Sequence, residues 1–495
     1  MLSSNQLTQI VHKYLGLYNS TDCIQQFCKW TVRESTVGGR GIIATEDIPC
    51  GEVLFVDRPL IFGPRCGNVI RGCTVCSKFE DDGFFKCSLC ALLLCSTECQ
   101  DFHTDDCNII AGWKKKVDIE EIDEIVMSHA LAAIRALSLN QEQKQFMSAL
   151  AAHTLPQHGG EIIKLKQYFE IPEEIEKDMI FACQALDTNA FQIATPYGKK
   201  EMSLRGLYPV AGLMNHSCLP NATYSYNDER QMIVKTSRFI AAGTEIFTCY
   251  SGILWGTTTR RSYLFKTKHF WCKCERCADP TENGTMLAAL CCLANECTTG
   301  YLLPIEPLKS SSSWQCTACG LRVPSKIIYK IQVALGTLIS TLDFQNLEQM
   351  ENFLMKRVTK FVPKVNHIVV DLQCRLIWEF GDVQGYRWHE LTESRLSLKL
   401  VLCRDILATL AALGLEDSHL CGLLFYHLHA TLAERARRHP DLYDGLKSEI
   451  ESTIERAYRI LRGDISAPVD LELRYRYLGP DCEKPQQERF SILSI

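Results

Sequence analysis

Apolar residues recur at helical spacing through the C-terminal part of the chain. Leu347, Met350, Leu354, Val358 and Phe361 form one stripe, and Leu420, Leu424, His427, Leu428 and Leu432 another. Spacings of three and four place such positions on one side of an α-helix. Residues 326–464 hold little Gly or Pro, so the pattern predicts about six amphipathic helices stacked in pairs, as in helical repeats. No self-similarity at roughly 34 residues accompanies them, so a strict tetratricopeptide array does not follow. A further helical stripe runs through Ile122, Ile125, Val126, His129, Ala133, Ile134 and Leu137, within Ile119 to Leu139. Residues 140–185 also read as mostly helical, with a loop at Pro156 to Gly160, and residues 1–29 as a weakly amphipathic helix.

Two stretches break this period. Gly38-Gly39-Arg40-Gly41 reads as a turn, Ile42-Ile43-Ala44 as a strand, Ile48 to Glu52 as a second turn and Val53 to Val56 as a second strand. Residues 186–250 return to short strands and turns, such as Tyr208-Pro209, Asn227-Asp228 and Ala242-Gly243. Short strands bounded by Gly and Pro, followed by a helical half, make the fold class α+β. The tail from Pro480 reads as peripheral.

The chain has 495 residues, 46% hydrophobic and 22% charged, which excludes a mainly disordered chain. A net charge of −5 gives no general attraction to nucleic acid. No apolar run reaches the roughly 18 residues of a membrane span, and Met1 to Gln9 has no secretory pattern. A cytoplasmic or nuclear, reducing location is expected. There the 26 cysteines point to metal rather than disulfides.

They cluster. Cys73-x2-Cys76, Cys87-x2-Cys90, Cys95-x3-Cys99, His103 and Cys107 supply eight ligand-type side chains, enough for two tetrahedral zinc sites. Cys99, His103 and Cys107 are spaced by four, which places them on one face of a continuous helix. Cys272-x-Cys274-x2-Cys277 supplies three thiolates. Cys292, Cys297, Cys316 and Cys319 have the spacing of a small ribbon, with Cys291 competing for the first position.

The order of the first cluster resembles the MYND finger. The resemblance implies interleaved sites, Cys73, Cys76, Cys95 and Cys99 against Cys87, Cys90, His103 and Cys107. The family usually has seven residues between the sixth Cys and the His, whereas three stand here, which implies a shortened helix with both sites intact. Around the finger, Gly38 to Ile42, Asn215-His216-Ser217-Cys218 with Pro220-Asn221, Gly243-Thr244-Glu245 to Cys249-Tyr250, and the Cys272 knuckle resemble the SET domain of protein-lysine methyltransferases. A finger inserted after the first SET strands, with a helical C-terminus, is the layout of the SMYD family. The cysteines around Leu302-Leu303-Pro304 and Trp314 resemble its arthropod SmydA branch.

The resemblance implies a SET β-fold with an inserted MYND finger, a post-SET zinc knuckle and a C-terminal TPR-like helical domain. The implied segments are 1–72 (N-terminal helix and first SET part), 73–107 (finger), 108–185 (helical insertion), 186–254 (core SET), 255–322 (post-SET region and candidate ribbon) and 323–495 (helical domain). It further implies S-adenosylmethionine bound by Arg40, Asn189, Asn215 and His216, with Phe270 stacked on adenine. Phe191 would line the lysine channel, and Tyr250 would bring its hydroxyl to the methyl and the amine. Cys218 becomes the fourth ligand of Cys272, Cys274 and Cys277, so three zinc ions are expected, and a fourth if the ribbon binds one. One departure stands out: Lys268 occupies a position where many SMYD proteins have a channel tyrosine.

The chemistry needs little else from the protein. A glycine-rich turn lets backbone approach a cofactor, and neighbouring Asn and His side chains can hydrogen-bond its polar ends. A free lysine has a pKa near 10.4, and a dry aromatic channel disfavours its ammonium form. The expected activity is methylation of histone or other protein lysines. The other reading is an inactive SET/MYND adaptor in transcriptional repression. Expected partners are the protein substrate and proteins bound through the finger and helical domain, with no membrane or direct DNA contact and a monomeric state.

Overall fold

The computed structural model describes residues 3–18, 28–64, 71–79, 83–150, 159–197, 202–480 and 482. Most of the expected loop at Pro156 to Gly160, and of the tail beyond Pro480, lies outside these residues. The chain divides into two units. One comprises Met1–Asn215, Asn221–Phe247 and Gly463–Pro468, and the other His216–Pro220, Thr248–Arg462 and Val469–Ile495.

In chain order the first unit contains α1 (Ser4–Tyr18), β1 (Trp30–Glu34), β2 (Arg40–Ala44), β3 (Val53–Asp57), β4 (Ile61–Pro64), β5 (Phe85–Lys86), β6 (Leu93–Leu94), α2 (Thr97–Asp101), α3 (Thr104–Ala111), β7 (Lys114–Lys115) and α4 (Glu124–Arg135). There follow α5 (Gln141–Ala149), α6 (Gly160–Leu165), β8 (Phe169–Glu170), α7 (Glu173–Asn189), β9 (Phe191–Ile193), β10 (Leu204–Leu207), β11 (Asn215–His216), β12 (Ala222–Tyr226), β13 (Met232–Thr236) and β14 (Glu245–Thr248). The last residues of β11 and β14 belong to the second unit.

The strands make small antiparallel sheets. β2 lies between β1 and β14, with Trp30 opposite Ala44 and Glu245 opposite Ile43. β10 lies between β4 and β9, and β13 between β12 and β3. Alternation is clean on β13, where Met232, Val234 and Thr236 are buried and Ile233 and Lys235 only partly so.

The expected stripe at Ile119 to Leu139 is only partly what forms. Asp123 caps α4 by accepting the Ile125 N–H, so the helix starts at Glu124 and Ile119–Glu121 is a separate 3₁₀ turn. Met127, Ala130, Leu131, Ala133 and Ile134 are buried, while Ile125, Val126 and His129 are only partly so. α4 packs against β4, α6 and α7, so it is enclosed on several sides and no single stripe describes it.

The second unit holds α8 (Thr257–Lys268), α9 (Glu275–Ala278), β15 (Leu290–Cys291), β16 (Tyr301–Pro304), β17 (Trp314–Cys316) and β18 (Arg322–Val323). Then come α10 (Ser325–Ser340), α11 (Leu347–Lys356), α12 (His367–Glu379), α13 (Glu393–Ala412), α14 (His419–Arg438), α15 (Tyr443–Leu461) and α16 (Leu471–Leu478). From α11 onward each helix packs on the next. Asn346, Asn366, Thr392 and Ser418 cap α11 to α14 through side-chain oxygens. Leu347, Met350, Leu354 and Val358 are buried as the stripe requires, but Phe361 is 48% exposed. α11 stops at Lys356 and the 3₁₀ turn Val358–Lys360 shifts the phase. Among the described residues no helix is long and apolar enough to cross a membrane.

Candidate active site and metal centres

In the first unit, the β2–β14 pairing sets Gly41 against Glu245. A Cβ at position 41 would stand 2.1 Å from Glu245 Oε1, so the approach requires glycine. Glu245 Oε2 accepts the Ser35 hydroxyl at 2.8 Å, and Oε1 accepts the Asn215 amide at 2.7 Å. Asn215 Nδ2 also donates to Arg40 O at 3.0 Å. Its two amide hydrogens are therefore used, and Oδ1 is the acceptor it can offer a ligand. Fully buried Asp57 steers this residue from behind. Its Oδ2 accepts the N–H groups of Val210 and Ala211 at 2.9 and 2.8 Å, fixing the 3₁₀ turn Ala211–Leu213 that leads into Asn215. Burial raises the Asp57 carboxyl to about 7 despite those N–H groups.

Arg40 opens β2 and donates from Nη2 to Ala149 O at 2.6 Å. Asn189 ends α7, its amide bonded to Ala185 O at 3.0 Å. Phe191 meets the Tyr208 and Tyr224 rings edge-on, at centroid distances of 6.1 and 5.6 Å. It thus sits in an aromatic wall whose other members the sequence reading did not select.

In the second unit, His216 is 7% exposed and both ring nitrogens are engaged. Tyr250 N–H lies 2.9 Å from Nδ1, which must therefore accept. The proton is then on Nε2, 3.3 Å from Cys218 Sγ. Burial lowers the imidazole to about 4, in keeping with a neutral ring. Both ring nitrogens of His216 are thus engaged within the protein. The ring ties Tyr250 to the cysteine centre. Its centroid lies 5.2 Å from the Tyr250 ring and 5.8 Å from Phe270. Lys268, the last residue of α8, places Nζ 5.7 Å from the Tyr250 ring centroid.

Four sets of cysteine and histidine side chains converge, each with its donor atoms within 4.8 Å of one another. In the first unit these are Cys73, Cys76, Cys95 and Cys99, and Cys87, Cys90, His103 and Cys107. In the second they are Cys218, Cys272, Cys274 and Cys277, and Cys292, Cys297, Cys316 and Cys319. The single helical face expected for Cys99, His103 and Cys107 does not form. α2 ends at Asp101, and His103 is the N-cap of α3, so Cys99 and Cys107 turn to different centres. The donor sets suit zinc. His103 Nδ1 bonds Gln100 O, while Nε2 is buried without a partner, the state of a histidine with one nitrogen free for a metal. Burial works against the Cys87 thiolate, but the N–H groups of Leu89 and Cys90 outweigh it and bring the thiol down to about 7.

Behind the Cys218 centre lies a fully buried charge cluster. Arg260 Nε stands 3.2 Å from Cys218 Sγ and Nη2 3.5 Å from Cys277 Sγ. Glu282 Oε2 accepts from Arg260 at 2.5 Å and from Arg276 at 3.2 Å. A zinc ion held by these four thiolates would carry a formal charge of about −2, and the cluster, about +1 with Glu282, would partly offset it. Arg276 lies inside the knuckle and Arg260 twelve residues before it, neither with a sequence signal of its own, and the sequence reading missed both.

The SET domain family matches residues 39–251. The Drosophila melanogaster SET domain-containing protein SmydA-8, isoform A, is 33% identical over 432 residues, covering 81% of this chain and 92% of the fly protein. Mouse histone-lysine N-methyltransferase SMYD3 is 24% identical over 354 residues, 65% of this chain and 80% of the mouse protein. Mouse N-lysine methyltransferase SMYD2 is 26% identical over 282 residues, 51% and 60% of the two chains.

Proposed function

The chain belongs to the SMYD family of SET-domain proteins, in its SmydA branch, and on that premise we propose that it is a protein-lysine N-methyltransferase dependent on S-adenosylmethionine. The observation that carries the reading is Tyr250, pinned through its backbone N–H to His216, whose ring also meets Phe270, on a segment anchored to the Cys218 centre. S-adenosylmethionine supplies an electrophilic methyl on its sulfonium. Asn215 would offer Oδ1 to the cofactor's ammonium group, and Phe270 would stack on its adenine. The close pass of Gly41 by Glu245 admits only glycine on the β2 turn beside Asn215. Phe191 and Tyr224 dry the path of the incoming lysine, which lowers its pKa and favours the neutral amine. The Tyr250 hydroxyl would orient that amine. Cys73, Cys76, Cys95 and Cys99, with Cys87, Cys90, His103 and Cys107, hold two structural zinc ions, and the Cys218 centre a third.

A second reading has one specific observation behind it. The Lys268 ammonium lies over the Tyr250 ring, and if that ring lines the lysine channel, the cation would oppose an incoming lysine, which suits an adaptor without turnover.

Calorimetric titration of the zinc-loaded full chain with S-adenosylmethionine separates the premise from its elaboration. Wild type binds, and Asn215→Ala weakens binding roughly 5- to 150-fold through loss of one buried polar contact worth about 1–3 kcal/mol. Absence of binding by folded, zinc-loaded wild type overturns the proposal.

A further inference from the structure

The second unit carries a further set of converging thiols to which the proposed methyl transfer gives no role. Cys292, Cys297, Cys316 and Cys319 are gathered by three short strand pairings, β15 with β16, β16 with β17 and β17 with β18. Strands of two to four residues hold little by themselves. The chain also passes very close to the sulfurs. A Cβ at Gly300 would stand 2.3 Å from Cys316 Sγ and 2.7 Å from Cys297 Sγ. Backbone N–H groups point at two of them, Ala294 N at 3.5 Å from Cys292 Sγ and Ala318 N at 3.4 Å from Cys316 Sγ. Such knuckle contacts favour thiolates over thiols.

The protection of this centre differs from that of the Cys218 centre. There, Cys218, Cys272 and Cys277 are buried and Arg260 donates to two of the sulfurs. Here Cys319 is exposed, Cys292 and Cys297 are partly exposed, and only Cys316 is buried. Oxidation of cysteine follows thiolate character and access.

We propose that these four thiolates hold a zinc ion that is the oxidation-labile metal of the chain, and that hydrogen peroxide releases it first by converting its ligands into two disulfides. The exposed Cys319 thiolate attacks the peroxide O–O bond, forming a sulfenic acid and expelling hydroxide. The Cys292 thiolate, with Sγ 3.6 Å from that of Cys319, attacks the sulfenic sulfur and expels a second hydroxide as the disulfide forms. Each peroxide thus takes two electrons from two thiolates, and two protons from solvent convert the hydroxides to water. Cys297 and Cys316, 3.7 Å apart, repeat the step with a second peroxide, and the ion leaves with no ligand remaining. The small sheet then loses the cross-link that holds it.

The test uses the full-length zinc-loaded protein, hydrogen peroxide added stepwise, a chromogenic chelator to count released zinc and mass spectrometry to locate disulfides. The expected result is a first zinc equivalent released together with Cys292–Cys319 and Cys297–Cys316 disulfides, while the cysteines of residues 73–107 and 218–277 stay reduced. A Cys292→Ser, Cys319→Ser variant should carry one zinc fewer by elemental analysis and lack that first phase. Free alkylation of all four cysteines in folded wild type, or a first zinc equivalent accompanied by oxidation elsewhere, overturns the proposal. The wild-type mapping decides even if the variant does not fold. None of these readouts depends on cofactor binding or methyl transfer.

Discussion

Replacing His216 tests whether this residue acts as a strut or as a cofactor ligand. Its Nδ1 satisfies the Tyr250 N–H at 2.9 Å and its Nε2–H faces Cys218 Sγ at 3.3 Å. His216→Ala removes both contacts. An unsatisfied buried N–H at Tyr250 costs about 1–3 kcal/mol, enough to misplace its hydroxyl and slow transfer by roughly 5- to 150-fold. Loss of a donor beside a metal ligand typically weakens metal affinity by about 10- to 100-fold. His216→Asn separates the two effects, because its side-chain oxygen sits near the position of Nδ1 and can accept the Tyr250 N–H without reaching Cys218. Single-turnover methyl transfer, a chelator competition for zinc and a cofactor titration are measured on each variant. The alanine variant should lose zinc faster and transfer slowly. The asparagine variant should recover transfer but not zinc retention. If both variants lose cofactor affinity equally while zinc retention stays at the wild-type level, the ring contacts the cofactor directly and the strut is refuted.

Three further outcomes follow from the same geometry. Lys268→Tyr should raise kcat/KM on lysine peptides, since like-charge repulsion at about 6 Å and an effective dielectric near 20 is roughly 3 kcal/mol; unchanged kinetics would show that the cation does not face the substrate. Glu282→Gln strips the carboxylate shared by Arg260 and Arg276 and should cost about 3–5 kcal/mol in denaturant unfolding of the zinc-loaded chain; a loss below about 0.5 kcal/mol would mean the cluster is not buried as described. Lys399 is fully buried beside Phe380 O, His427 and the Trp388 ring, with Asp382 and Cys403 near, and burial lowers its pKa to about 8. The unfolded chain keeps that proton up to about pH 10.4, so stability should rise between pH 8 and 10.4 by roughly 3 kcal/mol, and Lys399→Met should flatten the rise.

Metal-ligand sets and short motifs were the most legible part of the chain. Cysteine spacing is local, and Asn215 to Cys218 or Cys272 to Cys277 carry their chemistry in adjacent residues. The helical C-terminal half was equally readable wherever a capping Asn, Thr or Ser precedes the apolar stripe. Legibility failed where tertiary contacts decide. α4 is enclosed by several elements, so its burial follows neighbours rather than period. The helix through Cys99 and Cys107 breaks at Phe102–His103, which the four-residue spacing concealed. Arg260, Glu282 and Asp57 act through partners distant in sequence, from 22 residues for Arg260 and Glu282 to more than 150 for Asp57 and Val210. No local pattern marks such groups. For His216, the motif marks the residue, but only the structure shows its ring bonded to the Tyr250 N–H and beside Cys218.

The most direct measurement of the central claim is transfer of an isotopically labelled methyl group. Zinc-loaded wild type and Tyr250→Phe are each incubated with deuterated-methyl S-adenosylmethionine and a protein lysate or lysine peptide array, and labelled lysines are located by mass spectrometry. The account predicts labelled lysine side chains with wild type, and a strong loss with Tyr250→Phe at unchanged cofactor affinity. Cofactor binding without any labelled lysine, in wild type and in Lys268→Tyr alike, would contradict it.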